Sequence, residues 1–345
     1  MHNYGAVLQA AALHYIIQSL GHQPIHIDFI GSRPVSVKSR IGKILNIFGL
    51  RKNHNVRPTK NVEAFENFRK SFVPRTKLIK TPDEFSRISL KFDAVVVGSD
   101  QVWRPEFARD PIAFFLGYVP EGVRRVAYAA SFGTPTWCYE NDLQLTNRIK
   151  FELGLFAAIS CREDSAVEIC KNIFNVEAEH VLDPLLLVNQ EFLTRIIANN
   201  KSHSNAGLVF YKLDIDSNFL VGLREVEKHF KTPSVNMMSK KENDSHFREV
   251  EEWLSLLYSC EIVITDSFHC ICLALRFGKR VVYCPNDIKG KARIDSLFRQ
   301  FNIDAVEMNL RTPNTFYILN SRSDVVDKIN EFRTSSTRFL SRALT

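Results

Sequence analysis

Long apolar runs are missing from this chain of 345 residues, and no stretch approaches the about 20 residues of a helical membrane span. Residues 1–20 also lack the charged-then-apolar pattern of a secretory signal, so the reading is a cytoplasmic protein. Cysteines are few and odd in number. The seven lie mostly inside apolar runs, which fits reduced core thiols better than a disulfide framework. Cys270 and Cys272 stand two apart on a predicted helix, point to different faces and make a poor metal pair. HExxH, paired CxxC and clustered His/Asp ligand sets are absent, so the residues call for no metal. GxGxxG and a Walker lysine are absent too, which disfavours dinucleotide and nucleoside-triphosphate chemistry; no cofactor is expected.

Acidic residues are missing from 32–62, where eight Lys/Arg gather. The chain carries +7 overall, so the rest of it carries −1. A local basic segment on a nearly neutral body argues against a nucleic-acid partner. Two readings of the segment remain open. One is a solvated loop with a short helix at 40–50. The other is attraction to an anionic acceptor, or peripheral contact with a membrane surface carrying a lipid-linked one.

What the sequence does contain is alternation. Its length exceeds what one hydrophobic core usually organises, which predicts two domains. Short apolar strands are expected at "PIHIDF", "FDAVVVGSD", "RRVAYAASFG" and "AAISCRED", with helices at 4–20, 61–73 and 140–153. "AEHVLDPLLLV" closes this half, and the polar stretch 189–207 reads as a connector. The pattern restarts with strands at "LVFYKLD", "PSVNMM", "EIVITDS" and "RVVYCP", separated by helices at 216–230, 249–259 and 268–277. Helices at 290–302 and 323–342 follow. The expected boundaries are an N-terminal domain at 1–190 carrying the basic insertion, a C-terminal domain at 205–322 and a closing helix at 323–345. Such alternation implies parallel sheets covered by helices on both faces, hence two doubly wound domains facing across a cleft. One strand is lacking: the helix at 4–20 has none ahead of it. In a doubly wound sheet the first strand lies centrally, so its absence leaves both neighbours with open edges, and the expectation is that the chain starts late.

Four polar stretches sit at strand ends or helix starts: "HNYG" (2–5), "GSDQVW" (98–103), "SCRED" (160–164) and "TDSFHC" (265–270). The carboxyl ends of strands are where open α/β sheets bind ligands, so the fold would gather all four at one crevice. Each has a plainer reading. Gly-Ser-Asp can be a turn and helix cap, Arg162 a partner for Asp183 or Glu163, His269 a structural histidine and Trp103 core packing.

These stretches, with "VLDPLLLV", "EWLSLLYSCEIVITDSFHCICLALRFGK" and "KARIDSLFRQFNI", resemble the polysaccharide pyruvyl transferase family from residue 3 to about 340; "GSDQVW" and "TDSFH" are the most specific. The resemblance implies two Rossmann-like domains in a GT-B-type arrangement. It also implies transfer of the enolpyruvyl carbons of phosphoenolpyruvate to a saccharide as a ketal, with release of phosphate. The sequence departs from the family pattern at Cys270, where a glycine is usual, and in the missing first strand. On this reading Arg162, then Arg293, bind the donor's anionic groups, helped by the helix starts around Asn3, Tyr4, Gly5 and Ser267 and by Ser99. His269 is the proton donor or a phosphate ligand, Asp100 a base or a cap, and Asp266 an orienter of His269 or a local backbone acceptor. Trp103 is a sugar platform or core, and Asn3 and Tyr4 contact substrate or merely start a helix. Two alternatives stand beside this reading: a GT-B-type glycosyltransferase using a nucleotide sugar, and a catalytically silent assembly protein.

Overall fold

In this computed structural model, residues 2–31, 58–200, 206–240, 246–285, 291–320 and 324–345 are described. The helix expected at 40–50 and most of the basic segment 32–62 lie outside the described residues.

Two sheets organise the chain as two Rossmann-like domains. The first consists of β1 (Ala94–Val97), β2 (Arg124–Ala130), β3 (Ala158–Cys161) and β4 (Glu179–His180), parallel and in that spatial order. The second contains β5 (Leu208–Tyr211), β6 (Ser234–Asn236), β7 (Ile262–Thr265), β8 (Arg280–Tyr283), β9 (Asp304–Glu307) and β10 (Tyr317–Asn320), in the order β6-β5-β7-β8-β10-β9. Its first four strands are parallel, while β10 runs antiparallel to both β8 and β9. β5 and β7 are buried along their whole length, which is why they read as unbroken apolar runs instead of alternating ones.

Local chemistry sets the helix starts. Asn3 caps Tyr4–Ser19 by accepting from the Ala6 amide, Asp216 caps Ser217–Phe230 and Ser267 caps Phe268–Arg276. Three elements differ from expectation. The 189–207 connector contains a helix, Gln190–Ala198, whose Phe192, Leu193 and Ile196 are buried. The segment "PIHIDF" is not a regular strand; it makes only isolated parallel bridges, His26 to Arg75 and Phe29 to Ile79. The β9–β10 pair was not anticipated because β9 is exposed at all four positions and carries no apolar period.

One hydrophobic core runs through both halves. It joins Tyr4, Leu8 and Ala12 to Val126, Leu185, Trp253, Ile271 and Leu340. Tyr4 stacks on Trp253 with ring centroids 5.2 Å apart, and its hydroxyl donates to the Arg248 carbonyl at 2.9 Å. The first helix is thereby anchored in the second half. The closing helix Asp324–Leu344 returns to the first half, where Arg124 donates to the Ala343 carbonyl. No helix among the described residues is long and apolar enough to cross a membrane.

Candidate active site

The ends of β1, β3 and β7 meet at the junction of the two halves. From β3, Arg162 enters nearly fully buried; its amide bonds the Ala130 carbonyl, and its own carbonyl accepts from His180. From the start of the Phe268–Arg276 helix comes His269. Arg162 Nη1 lies 3.1 Å from His269 Nε2, 3.0 Å from Asp183 Oδ2 and 3.2 Å from Ser99 Oγ. Ser99 in turn donates to the same Asp183 oxygen at 2.8 Å. A guanidinium can only donate, so a neutral imidazole would accept at this contact through Nε2.

From the sequence Asp183 is expected only as one of two partners for Arg162. It is fully buried; its other oxygen caps the short helix Pro184–Leu187 through the Leu185 amide. Burial opposes its charge, but His269, Arg162 and that amide outweigh burial and hold its carboxyl far below the ordinary carboxylate range. The signal was the Asp-Pro start of a helix in "VLDP".

Asp100 and Arg293 form the more open side of the cluster. The Asp100 side chain is 26% exposed, against 1% for Arg162 and 12% for Arg293. Asp100 lies 3.6 Å from Arg162 Nη2 and 3.9 Å from Arg293 Nη1. Despite burial, His269, Arg162 and Arg293 together depress its carboxyl. Its φ of +92° is a left-handed conformation that a non-glycine residue rarely adopts, and such strain is characteristic of functional sites. Burial first, then the nearby Arg162, push the Arg293 guanidinium down to about 10. Both guanidiniums face one ring: Arg162 lies 4.3 Å and Arg293 5.7 Å from the Phe268 centroid.

Several donors here lack a hydrogen bond. Arg162 Nε and Nη2 and Arg293 Nε are buried without a hydrogen bond. Leaving such groups unmet costs about 1–3 kcal/mol each, more for charged ones, and an anionic ligand would relieve it.

Gly5 explains the glycine of "NYG". A Cβ built there would lie 2.6 Å from the His269 ring carbon Cγ, so only glycine lets the first helix approach the imidazole. Asn3 is the helix cap and Ser267 accepts from the Cys270 amide, both beside the cluster and both occupied in starting helices. Cys270 is itself fully buried in the common core, its thiol raised by burial; it packs inward.

Three expectations need correction. Trp103 is fully buried, stacks on Phe115 and donates to the Phe114 carbonyl, so it is core and not a sugar platform. Tyr4 is likewise core, with its hydroxyl engaged by backbone. Asp266 does not orient His269: its oxygens accept from Lys212 at 2.7 Å and from the Leu213 amide at 3.2 Å, and the carboxylate beside the imidazole is Asp183. Sequence reasoning missed Lys212, a buried ammonium at the end of β5. Its position right after an apolar strand was the available signal.

With this geometry in place, the comparisons define the class: residues 3–288 match the profile of the polysaccharide pyruvyl transferase family. The chain belongs to that family, which makes it a transferase of polysaccharide biosynthesis with a saccharide acceptor. No curated protein matches it. Among solved structures it is similar to the UDP-GlcNAc 2-epimerase of Neisseria meningitidis, bound to UDP-GlcNAc. That similarity has a TM-score of 0.47 and 12% identity, over 99% of this chain and 92% of that one. It is also similar to a putative UDP-N-acetylglucosamine 2-epimerase of Listeria monocytogenes, with a TM-score of 0.47 and 10% identity, over 99% and 89% of the two chains.

Proposed function

We propose that the protein transfers the pyruvyl group of phosphoenolpyruvate to two hydroxyls of a saccharide, forming a ketal and releasing phosphate. The observation that carries this reading is the buried contact between Arg162 and His269, drawn from different halves of the chain, with unmet guanidinium donors beside it. A small donor bearing both a carboxylate and a phosphate suits two guanidiniums that share one aromatic wall.

One acceptor hydroxyl adds to the donor's C2 while a proton goes to C3, turning the methylene into a methyl group. A second hydroxyl then displaces phosphate from C2, and its proton leaves with the phosphate. Arg162 shifts from Nε2 of His269 to the incoming anion. The freed imidazole nitrogen takes up a proton, held by Asp183 Oδ2 at 3.6 Å, and delivers it to C3. Asp100, ionised between Arg162 and Arg293 on the open side, accepts a proton from an acceptor hydroxyl. Lys212 fixes Asp266, and with it the turn from β7 into the helix that carries His269.

The test is phosphate release from phosphoenolpyruvate in the presence of a panel of saccharides. Wild type is expected to release phosphate with one acceptor, and Arg162→Ala and His269→Ala to lose about 100-fold or more while remaining folded. Wild-type rates in both variants would refute the assignment. In thermal-shift measurements, stabilisation by nucleotide sugars and not by phosphoenolpyruvate would refute the donor.

A further inference from the structure

Outside the charged cluster, two further arginines meet with no acid between them. Arg276 ends the helix that carries His269 near its start, about 10 Å farther along the same axis. Arg333 lies on the closing helix Asp324–Leu344. Both reach the end of the short helix Pro184–Leu187. Arg276 Nη2 donates to the Val188 carbonyl at 2.9 Å, and Arg333 donates to the Leu187 carbonyl from Nε at 3.1 Å and from Nη2 at 2.9 Å. Consecutive carbonyls thus hold two guanidiniums side by side. Arg333 Nη1 adds a bond to Asn330 Oδ1 on its own helix, at 3.3 Å. Every one of these acceptors is neutral, and among the described residues neither guanidinium has a carboxylate partner. Arg276 Nε is buried and makes no hydrogen bond. Burial lowers the Arg276 pKa, and the neighbouring Arg333 charge lowers it further. Capping two carbonyls accounts for the hydrogen bonds but leaves both charges uncompensated.

We propose that Arg276 and Arg333 form a second anion site, which holds one phosphate group between them. Charge and shape choose this ligand class. Two cations without an acid are neutralised by a dianion, whereas a single carboxylate leaves one charge over. A tetrahedral phosphate offers oxygens in several directions, so two guanidinium forks can each take a pair. Both arginines are half-buried, which strengthens such a contact relative to one in open solvent and still leaves the pair reachable. The group is inorganic phosphate or the phosphomonoester headgroup of a lipid, which share this chemistry. Bound there, it ties the helix that carries His269 to the closing helix. The argument stands on these two side chains and does not depend on the donor proposed above.

The experiment is calorimetric titration of inorganic phosphate, at constant ionic strength, into wild type, Arg276→Gln, Arg333→Gln and Arg162→Ala. A parallel arm measures sedimentation with phosphatidylcholine vesicles containing about one part in five of phosphatidic acid. Phosphate is expected to bind wild type and Arg162→Ala alike at this site, and about 10-fold or more weakly in Arg276→Gln and Arg333→Gln. Arg276→Lys keeps the charge and loses the fork, so its affinity should fall between those of wild type and Arg276→Gln. Melting temperatures in chloride check that each variant is folded. Discrimination by free phosphate assigns the soluble ligand, and discrimination by the vesicles alone assigns the headgroup. If Arg276→Gln and Arg333→Gln match wild type in both arms, the proposal is overturned. Loss of phosphate binding in Arg162→Ala alone would overturn it too, by placing the anion in the charged cluster.

Discussion

At the scale of single residues, the site depends on one glycine and one carboxylate. Gly5→Ala places a methyl group against the His269 ring, and overpacking of this kind costs about 1–3 kcal/mol. The expected outcome is a lower melting temperature together with strongly reduced phosphate release; unchanged activity would mean that the ring's position is immaterial. Asp183 makes a pH prediction. Its folded-state pKa lies below the ordinary 3.8, so its stabilisation is complete above that value and is lost as pH falls through the folded pKa. Asp183→Asn breaks a buried pair and is expected to destabilise by about 3–5 kcal/mol near neutral pH. In urea unfolding from about pH 7 down to about pH 2, the variant's deficit should shrink as wild type loses its own contribution. A deficit that stays constant across that range would contradict the ionised Asp183. Cys270→Gly tests the departure from the family pattern. The thiol is buried in the core, so the loss should appear as about 1–3 kcal/mol of stability, with the catalytic rate kept. A large rise in rate would show instead that the thiol obstructs the donor.

At the scale of elements, β1, β3, β5 and β7 were legible because buried parallel strands read as short apolar runs, and the polar residues that follow β1, β3 and β7 come together in the charged cluster. What was not legible has physical causes. The Pro82–Ser89 helix has a complete capping box between Thr81 and Glu84, a local signal present in "TPDE" but outweighed by the short, sparse apolar pattern that follows. The Gln190–Ala198 helix hides its three buried residues among polar ones. Trp103 shows the limit of motif reading: a tryptophan beside a polar strand end faces core or cleft depending on packing that the sequence does not display. Asp183 keeps Arg162 as its partner and also takes the place beside His269 expected of Asp266, since both acids precede a helix and only the tertiary fold decides which one meets the imidazole. The link between Asp164 and Arg299 joins the two halves at 2.8 Å but is roughly half exposed. Arg299→Ala is accordingly expected to change unfolding free energy by less than about 1 kcal/mol; a larger loss would make this pair a structural latch.

At the scale of the whole molecule, the core is shared between the halves and the charged cluster sits where they meet. Tyr4 docks the first helix onto Trp253, and Gly5, one residue later, presses that helix against His269. The same short segment that joins the halves therefore also positions the imidazole. Arg162 follows a strand of the first sheet while His269 and Arg293 sit on helices of the second half, so Arg162 meets the other two only with both sheets in place. The unmet guanidinium donors mark where an anion would complete the arrangement. Calorimetric titration of phosphoenolpyruvate into wild type and Arg162→Ala tests this most directly. The account predicts saturable binding to wild type and an affinity about 100-fold weaker in the variant. Equal affinity in the two proteins, or no binding to wild type, would contradict it.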